Sequence, residues 1–303
     1  VSGFVDLQVN GYAGLDFNAD EYADDLVLEV CRRLTREGVD KILATVITAP
    51  IESMIARIAR IADLIESHVD VAATIGGIHV EGPFINPDDG YVGAHPPAAV
   101  RAANRDDATK LIDAGRGHVR LLTLAPEMDA GASTTRFLVD QGITVAAGHS
   151  AASMNQLNES IDAGLALFTH LGNGCPHLQP RHDNIIQRVL SVSDRLSISF
   201  IADGHHVPSF ALKNYLSAVP DDHIVIVTDA ISAAGLAPGR YQFAHQVVEV
   251  DEDRAAWAEG RQHYAGCATT MPQMVEVLQQ QLGIDPTHSI RWMRDNPRRL
   301  IGV

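Results

Sequence analysis

Eight short runs of β-branched and apolar residues recur along the chain, with helical patterns between them from end to end. That alternation restricts the fold to repeated βα units around a parallel sheet. The runs are Phe4 to Val9, Lys41 to Ile47, Ala73 to Val80, Val119 to Ala125, Ile143 to Gly148, Leu165 to Thr169, Ser197 to Ala202 and His223 to Thr228. The clearest intervening helix carries Ile51, Met54, Ile55, Ile58, Ile61, Ala62 and Ile65 at three- and four-residue spacing. That stripe would cover a sheet while Arg57, Arg60 and Glu66 face water. A doubly wound open sheet would show the same alternation. Polar residues cluster just after several different strands, where barrel active sites are built from βα loops, and this favours an α/β fold closed as a (β/α)8 TIM-type barrel. Beyond the eighth strand, Tyr241 to Val250 followed by Asp251-Glu252-Asp253 predicts an inserted hairpin or excursion before a last helix at about Met271 to Gln281. No Pro-, Gly- or Ser-rich linker divides residues 1–303, so one catalytic domain is the expectation.

Charge and cysteine content narrow the function. A net charge of -15 without clustered Lys and Arg argues against nucleic acid and against an anionic membrane surface. The longest apolar runs are strand-sized, and Val1 to Val5 leads straight into an acidic residue with no leader-like pattern. Cys31, Cys175 and Cys267 are far apart and odd in number, which makes neither a disulfide framework nor a CxxC metal site. A cytoplasmic location is expected. An anionic substrate would need a local positive partner.

Chemistry-bearing residues stand at strand ends. His149 closes Ile143 to Gly148, His170 closes Leu165 to Thr169, and Glu81 closes the third strand within Gly77-Ile78-His79-Val80-Glu81-Gly82-Pro83-Phe84. Two imidazoles and one carboxylate on one barrel face are the usual ligand count of a catalytic zinc site with an open position. Asp229 follows Ile224 to Thr228; alone it reads as a helix cap, but beside a metal-bound water it becomes a general base. The first strand ends in Gln8-Val9-Asn10 where barrel hydrolases with two metals place His-x-His. Amides are poor zinc ligands, so one tightly held divalent ion is expected, zinc or another first-row metal.

With these residues in place, the chain resembles the N-acetylglucosamine-6-phosphate deacetylases of the amidohydrolase superfamily over nearly its whole length. The landmarks are Gly3-Phe4-Val5-Asp6-Leu7-Gln8-Val9-Asn10-Gly11, His79 to Phe84, Gly93-Ala94-His95, Gly148-His149-Ser150, Thr169-His170-Leu171 with Asn173, Ala202-Asp203-Gly204-His205-His206-Val207, Thr228-Asp229-Ala230 and Asn296-Pro297. The resemblance implies a metal held by Glu81, His149 and His170, and Asp229 as acid/base. It further implies that His95 and His206 hold the acetamido group and its carbonyl, and that Asn173 and Gly174 contact the sugar. Arg181 matches an arginine that in relatives reaches the phosphate from the neighbouring subunit of a homodimer. The implied partner is a phosphorylated amino sugar, and Arg181 would supply the positive charge the acidic chain otherwise lacks.

Two features depart from that pattern. Relatives carry a small β-sandwich from segments flanking the barrel, and both segments are missing between Val1 and Val303, which implies a barrel-only or trimmed form. The loop after His170 reads Gly172-Asn173-Gly174-Cys175, with less bulk than the aromatic-Asn-Ala-Met of relatives, which would widen the sugar pocket. The rival readings are an amidohydrolase for another N-acyl sugar or cyclic amide, separated by substrate profiling, and a catalytically silent sugar-phosphate-binding barrel, which would bind metal without turnover.

Overall fold

The sheet runs in chain order: β1 (Phe4–Val9), β2 (Val39–Ile47), β3 (Ile75–Glu81), β4 (Val119–Leu124), β5 (Thr144–Ala147), β6 (Leu167–Phe168), β7 (Ser197–Ile201) and β8 (Ile224–Val227). Each strand pairs parallel with the next, and helices such as Asp24–Arg36 and Ile51–Ser67 lie between them. The structure is a computed structural model that describes residues 3–243, 246–261 and 264–303. Residues 1 and 2 of the expected leaderless start, and 244 and 245 of the expected hairpin, lie outside the described residues. No described helix is long and apolar enough to cross a membrane. All three cysteines are free.

Closure depends on side chains as well as on the ladder. Between β8 and β1 the backbone contributes a Val9–Ala230 bridge, with the Asn10 and Gly11 N–H groups donating to the Ala230 carbonyl at 2.8 and 3.1 Å. Below that point Asp6 spans the seam. Its Oδ1 accepts from the Gln8 and Thr228 N–H groups, each at 3.2 Å, and its Oδ2 accepts from the Thr228 hydroxyl. A buried carboxylate thus satisfies donors that a twisted, short ladder leaves open. Deeper in the barrel His79 lies between Thr45 and Thr123, with Nε2 2.8 Å from the Thr123 hydroxyl. Burial pulls its pKa down to about 4, so the ring is a neutral packing element.

Three local expectations differ from the structure. Ala73 and Thr74 close a short helix, Val69–Thr74, instead of opening β3, because that helix continues almost directly from the preceding one. Arg57 does not face water. It is buried at 7% exposure and its Nη2 donates to Asp20 at 3.0 Å, an acid from the loop after β1. The stripe is read correctly, but the long stem of Arg57 follows it inward and finds a distant counter-ion. The helix expected to be last is α-helical only over Met271–Glu276, widens to π geometry over Val277–Gln281, and is followed by further helical segments at Pro286–Ile290, Arg291–Asp295 and Asn296–Ile301. The excursion after β8 is a three-stranded antiparallel sheet, β9 (Gly239–Phe243), β10 (Gln246–Val250) and β11 (Ala256–Ala258).

Burial pushes the Asp6 carboxyl up to about 7, against the hydrogen bonds that lower it. The folded chain therefore binds this proton more tightly than the unfolded chain, whose carboxyl titrates near 4. Its contribution to stability is full below about pH 4 and is lost as the pH rises towards 7. Asp6→Asn keeps the acceptor for both N–H groups and places an amide donor against the Thr228 oxygen. Urea unfolding of Asp6→Asn should lack the loss between pH 5 and 7.5 that the native chain shows, on the order of 3 kcal/mol. Identical pH profiles for the two proteins would remove Asp6 from the linkage.

Candidate active site

Glu81, at the end of β3, is 2% exposed, and its carboxylate is the point on which the mouth of the barrel converges. Oε1 lies 3.0 Å from His170 Nε2 and 3.4 Å from His149 Nε2, and Oε2 lies 3.8 Å from His95 Nε2. Gln8 of β1 donates its amide to Oε1 at 2.9 Å. Burial would raise the Glu81 pKa, but the bonds and charges of His149 and His170 hold it well below the usual carboxylate range. Burial also works against a charged His170, yet the Glu81 bond and charge, with Asp229, push its pKa up.

The backbone turns these side chains inward. His149, His170 and Asp229 have φ of 51°, 32° and 53°, left-handed values that L-residues seldom adopt. Each stands two residues beyond the end of a strand, so the chain reverses there and the side chain folds back over the barrel mouth. Such strain gathers where a site must be held in place.

Hydrogen bonds divide the imidazoles by tautomer. His149 Nδ1 lies 2.6 Å from the Tyr91 carbonyl oxygen, which can only accept, so Nδ1 carries a proton and Nε2 is left to face the carboxylate. In the neutral form of the ring that nitrogen sets a lone pair against Glu81 Oε1 at 3.4 Å, an arrangement that a cation between them satisfies. His170 adds a second sign, because its buried Nδ1 has no partner. Glu81, His149 and His170 therefore fit a divalent metal in donor chemistry. His95 shares the cluster, its ligand atom lying within 4.8 Å of those of Glu81 and His149. His95 Nδ1 lies 2.8 Å from the Thr48 hydroxyl and 3.3 Å from the Thr48 N–H, which can only donate. A ring that accepts there carries its proton on Nε2 and can donate it to an oxygen. Burial and His149 pull its pKa down to about 3, so the ring is neutral.

Asp229 lies next to this group. The Asn10 amide donates to its Oδ1 at 2.7 Å, while burial and the Glu81 charge push its carboxyl up to about 6. No described side-chain capping bond engages it, so the helix-cap reading does not apply. His206, on the loop after β7, is bonded through Nδ1 to Asp203 Oδ2 at 2.6 Å. Asn173 is fastened to the His170 carbonyl oxygen through its amide at 3.3 Å. Gly174, with φ +59°, packs against the His149 ring: a Cβ there would come within 2.9 Å of Nδ1. Arg181 is exposed on the loop between β6 and the helix Ile185–Leu190, and no described hydrogen bond or ion pair engages it. Sequence reasoning assigned no role to Gln8 beyond excluding a second metal, and none to Tyr91, Thr48 or Asp203. Of these, Gln8 and Asp203 carried a signal, as parts of the Gly3-to-Gly11 and Ala202-to-Val207 landmarks.

No protein-family model matches the chain. It is 31% identical to the N-acetylgalactosamine-6-phosphate deacetylase of Escherichia coli O157:H7, over 99% of this chain and 77% of that protein. It is 33% identical to the N-acetylglucosamine-6-phosphate deacetylase of Bos taurus, over 99% of this chain and 74% of that protein. Among solved structures, an N-acetyl-D-glucosamine-6-phosphate deacetylase variant from Mycobacterium smegmatis in complex with N-acetyl-D-glucosamine-6-phosphate superposes with a TM-score of 0.89 at 28% identity. The match covers all of this chain and 78% of that one.

The Gly174 contact can be weighed against a glycine with similar backbone but open surroundings. Gly142 has φ +76°, and nothing lies within 4 Å of where a methyl group would stand, so Gly142→Ala should cost only the backbone term, about 1 kcal/mol. Gly174→Ala adds the collision with His149 and should cost about 1–2 kcal/mol more in urea unfolding. Equal losses at the two positions would show that the imidazole yields freely and is not held by Gly174.

Proposed function

The chain belongs to the N-acetylglucosamine-6-phosphate deacetylase family, and on that premise we propose that it hydrolyses the acetamido group of N-acetylglucosamine 6-phosphate to acetate and glucosamine 6-phosphate. The observation that carries the reading is the convergence of Glu81, His149 and His170 beside Asp229, a metal-capable set next to a buried base. Glu81, His149 and His170 hold one divalent ion, zinc in this reading. Such an ion, when bound, lowers the pKa of water and polarises a carbonyl.

Asp229 takes a proton from the attacking water, and its raised pKa matches that task near neutral pH. Asn10 ties down one oxygen of Asp229 and so fixes the direction in which the base acts. As the C–N bond breaks, Asp229 returns the proton to the departing amine, and the acetyl group leaves as acetate. His95 and His206 offer N–H groups to the acetyl oxygen as negative charge develops there. Asn173 and Gly174 line the sugar side. Arg181 meets the phosphate, from the neighbouring subunit of a homodimer. Its exposure, and the lack of any described ion pair to it, suit that role. Three free cysteines fit a reducing compartment, and a cytoplasmic location belongs to the same reading.

A second substrate has a specific observation behind it, since the Escherichia coli relative is named for the galacto epimer. Acetate release should be measured from N-acetylglucosamine 6-phosphate, its galacto epimer and unphosphorylated N-acetylglucosamine. The gluco 6-phosphate is expected to be the best substrate. Asp229→Asn should lower kcat by about 10³-fold with bound metal retained. Arg181→Ala should raise KM about tenfold on phosphorylated sugars only. Near-normal turnover by Asp229→Asn would remove the base, and equal rates on phosphorylated and free sugar would remove the phosphate site.

A further inference from the structure

A second buried cluster lies beyond the metal-capable group: Asp203, His206 and Cys267, whose ligand atoms fall within 4.8 Å of one another. Its composition would suit a cation, but its bonding speaks for a different role. Asp203 Oδ1 accepts from the backbone N–H groups of His205 and His206 at 2.9 and 3.0 Å. Oδ2 accepts from His206 Nδ1 at 2.6 Å and from the Cys267 thiol at 3.5 Å. Burial and the Asp203 charge push the Cys267 pKa well up, so the sulfur stays a neutral thiol and a weak metal ligand. Both carboxylate oxygens are already engaged. The cluster is a chain of donors ending on one acid.

We propose that Asp203 is a positioning residue for the deacetylation, fixing the His206 ring with Nδ1 engaged so that Nε2 is left to meet the acetyl oxygen. This rests on the placement of His206 at the acetyl group given above. Two restraints hold the imidazole. Asp203 grips one edge, and Tyr264 packs against it with ring centroids 5.1 Å apart, itself backed by Trp257 at 4.4 Å. No described hydrogen bond engages Nε2. Although burial opposes a charged ring, Asp203 and Asp229 both push the His206 pKa up, in the direction of a ring protonated on both nitrogens. The logic is that of a donor oriented by a third group: without the acid's charge, the ring could turn, or lose its second proton and leave a lone pair on the nitrogen that faces a developing oxyanion. Asp203 itself is held down to about 2 by His206 and the backbone donors, against the effect of burial, so it acts as an anion and is not the group that exchanges protons.

The test uses metal-loaded enzyme with N-acetylglucosamine 6-phosphate, and nitrogen-15 histidine spectra of the protein without substrate. Asp203→Asn should lower kcat by about 10- to 100-fold with KM within about threefold, as expected for loss of a charged donor acting in the transition state. His206→Gln should lose at least as much, and the double variant should be no slower than His206→Gln alone, because the acid acts only through the ring. In the unmodified protein, the His206 resonances should show protons on both ring nitrogens, with a strongly hydrogen-bonded Nδ1–H that disappears in Asp203→Asn. Multiplying losses in the double variant, or full kcat in Asp203→Asn, would overturn the proposal. So would a His206 ring without an Nδ1 proton, which is read on the unmodified protein even if a variant fails to fold. Full activity in His206→Gln would instead overturn the placement of His206 on which the proposal rests.

Discussion

A carboxylate as deeply buried as Glu81 is the charge around which the rest of this molecule is arranged. An isolated anion at that depth is held ionised only by hydrogen bonds and positive charge, since the loss of hydration costs several kcal/mol even after relaxation. Four different segments supply those partners: Gln8 from β1, His95 from the loop after β3, His149 from the end of β5 and His170 from the end of β6. The barrel is the scaffold that brings these distant segments to one rim. The left-handed turns at His149 and His170 are the local cost of aiming two imidazoles at the same oxygen. One interaction thus couples fold, strain and the capacity to take a cation.

Asp229 is placed by a second device, the excursion after β8. Its return segment runs beside the turn that bears Asp229, with the Cys267 N–H donating to the Asp229 carbonyl at 3.1 Å and the Ile231 N–H donating to the Cys267 carbonyl at 3.0 Å. Ala230 bridges to Val9 on one side and to Cys267 on the other. The turn bearing Asp229 is therefore clamped between the first strand and the excursion. The same return segment brings the Cys267 thiol to Asp203 and Tyr264 to His206. A peripheral sheet thereby reaches the two groups proposed to move and stabilise charge.

What was legible in the sequence follows from what periodicity reports. Apolar runs ended by His149, His170, Glu81 or Asp229 mark strands and rim together, because a residue that closes a barrel strand stands at the mouth by geometry. Pairings distant in sequence were not legible. Arg57 matched a solvent-facing helical position, and nothing local announces that it would be buried beneath a distant loop with its guanidinium against Asp20. The Val69–Thr74 helix was invisible because Ala73 and Thr74 merge with the apolar run of β3. The division of labour between His95 and His149 depends on which nitrogen meets Thr48 or Tyr91, a fact about tautomers that residue type does not carry. Resemblance supplied His206, but the grip of Asp203 upon it needs the fold of the loop after β7.

The most direct measurement is bound divalent metal and acetate release from N-acetylglucosamine 6-phosphate on the same preparations of native protein and Glu81→Gln. The substitution keeps the volume and the acceptor for Gln8 but removes the charge. One ion per chain with turnover in the native protein, and the loss of both in a folded Glu81→Gln, is the result this account predicts. A Glu81→Gln protein that keeps its ion and releases acetate at the native rate would contradict it.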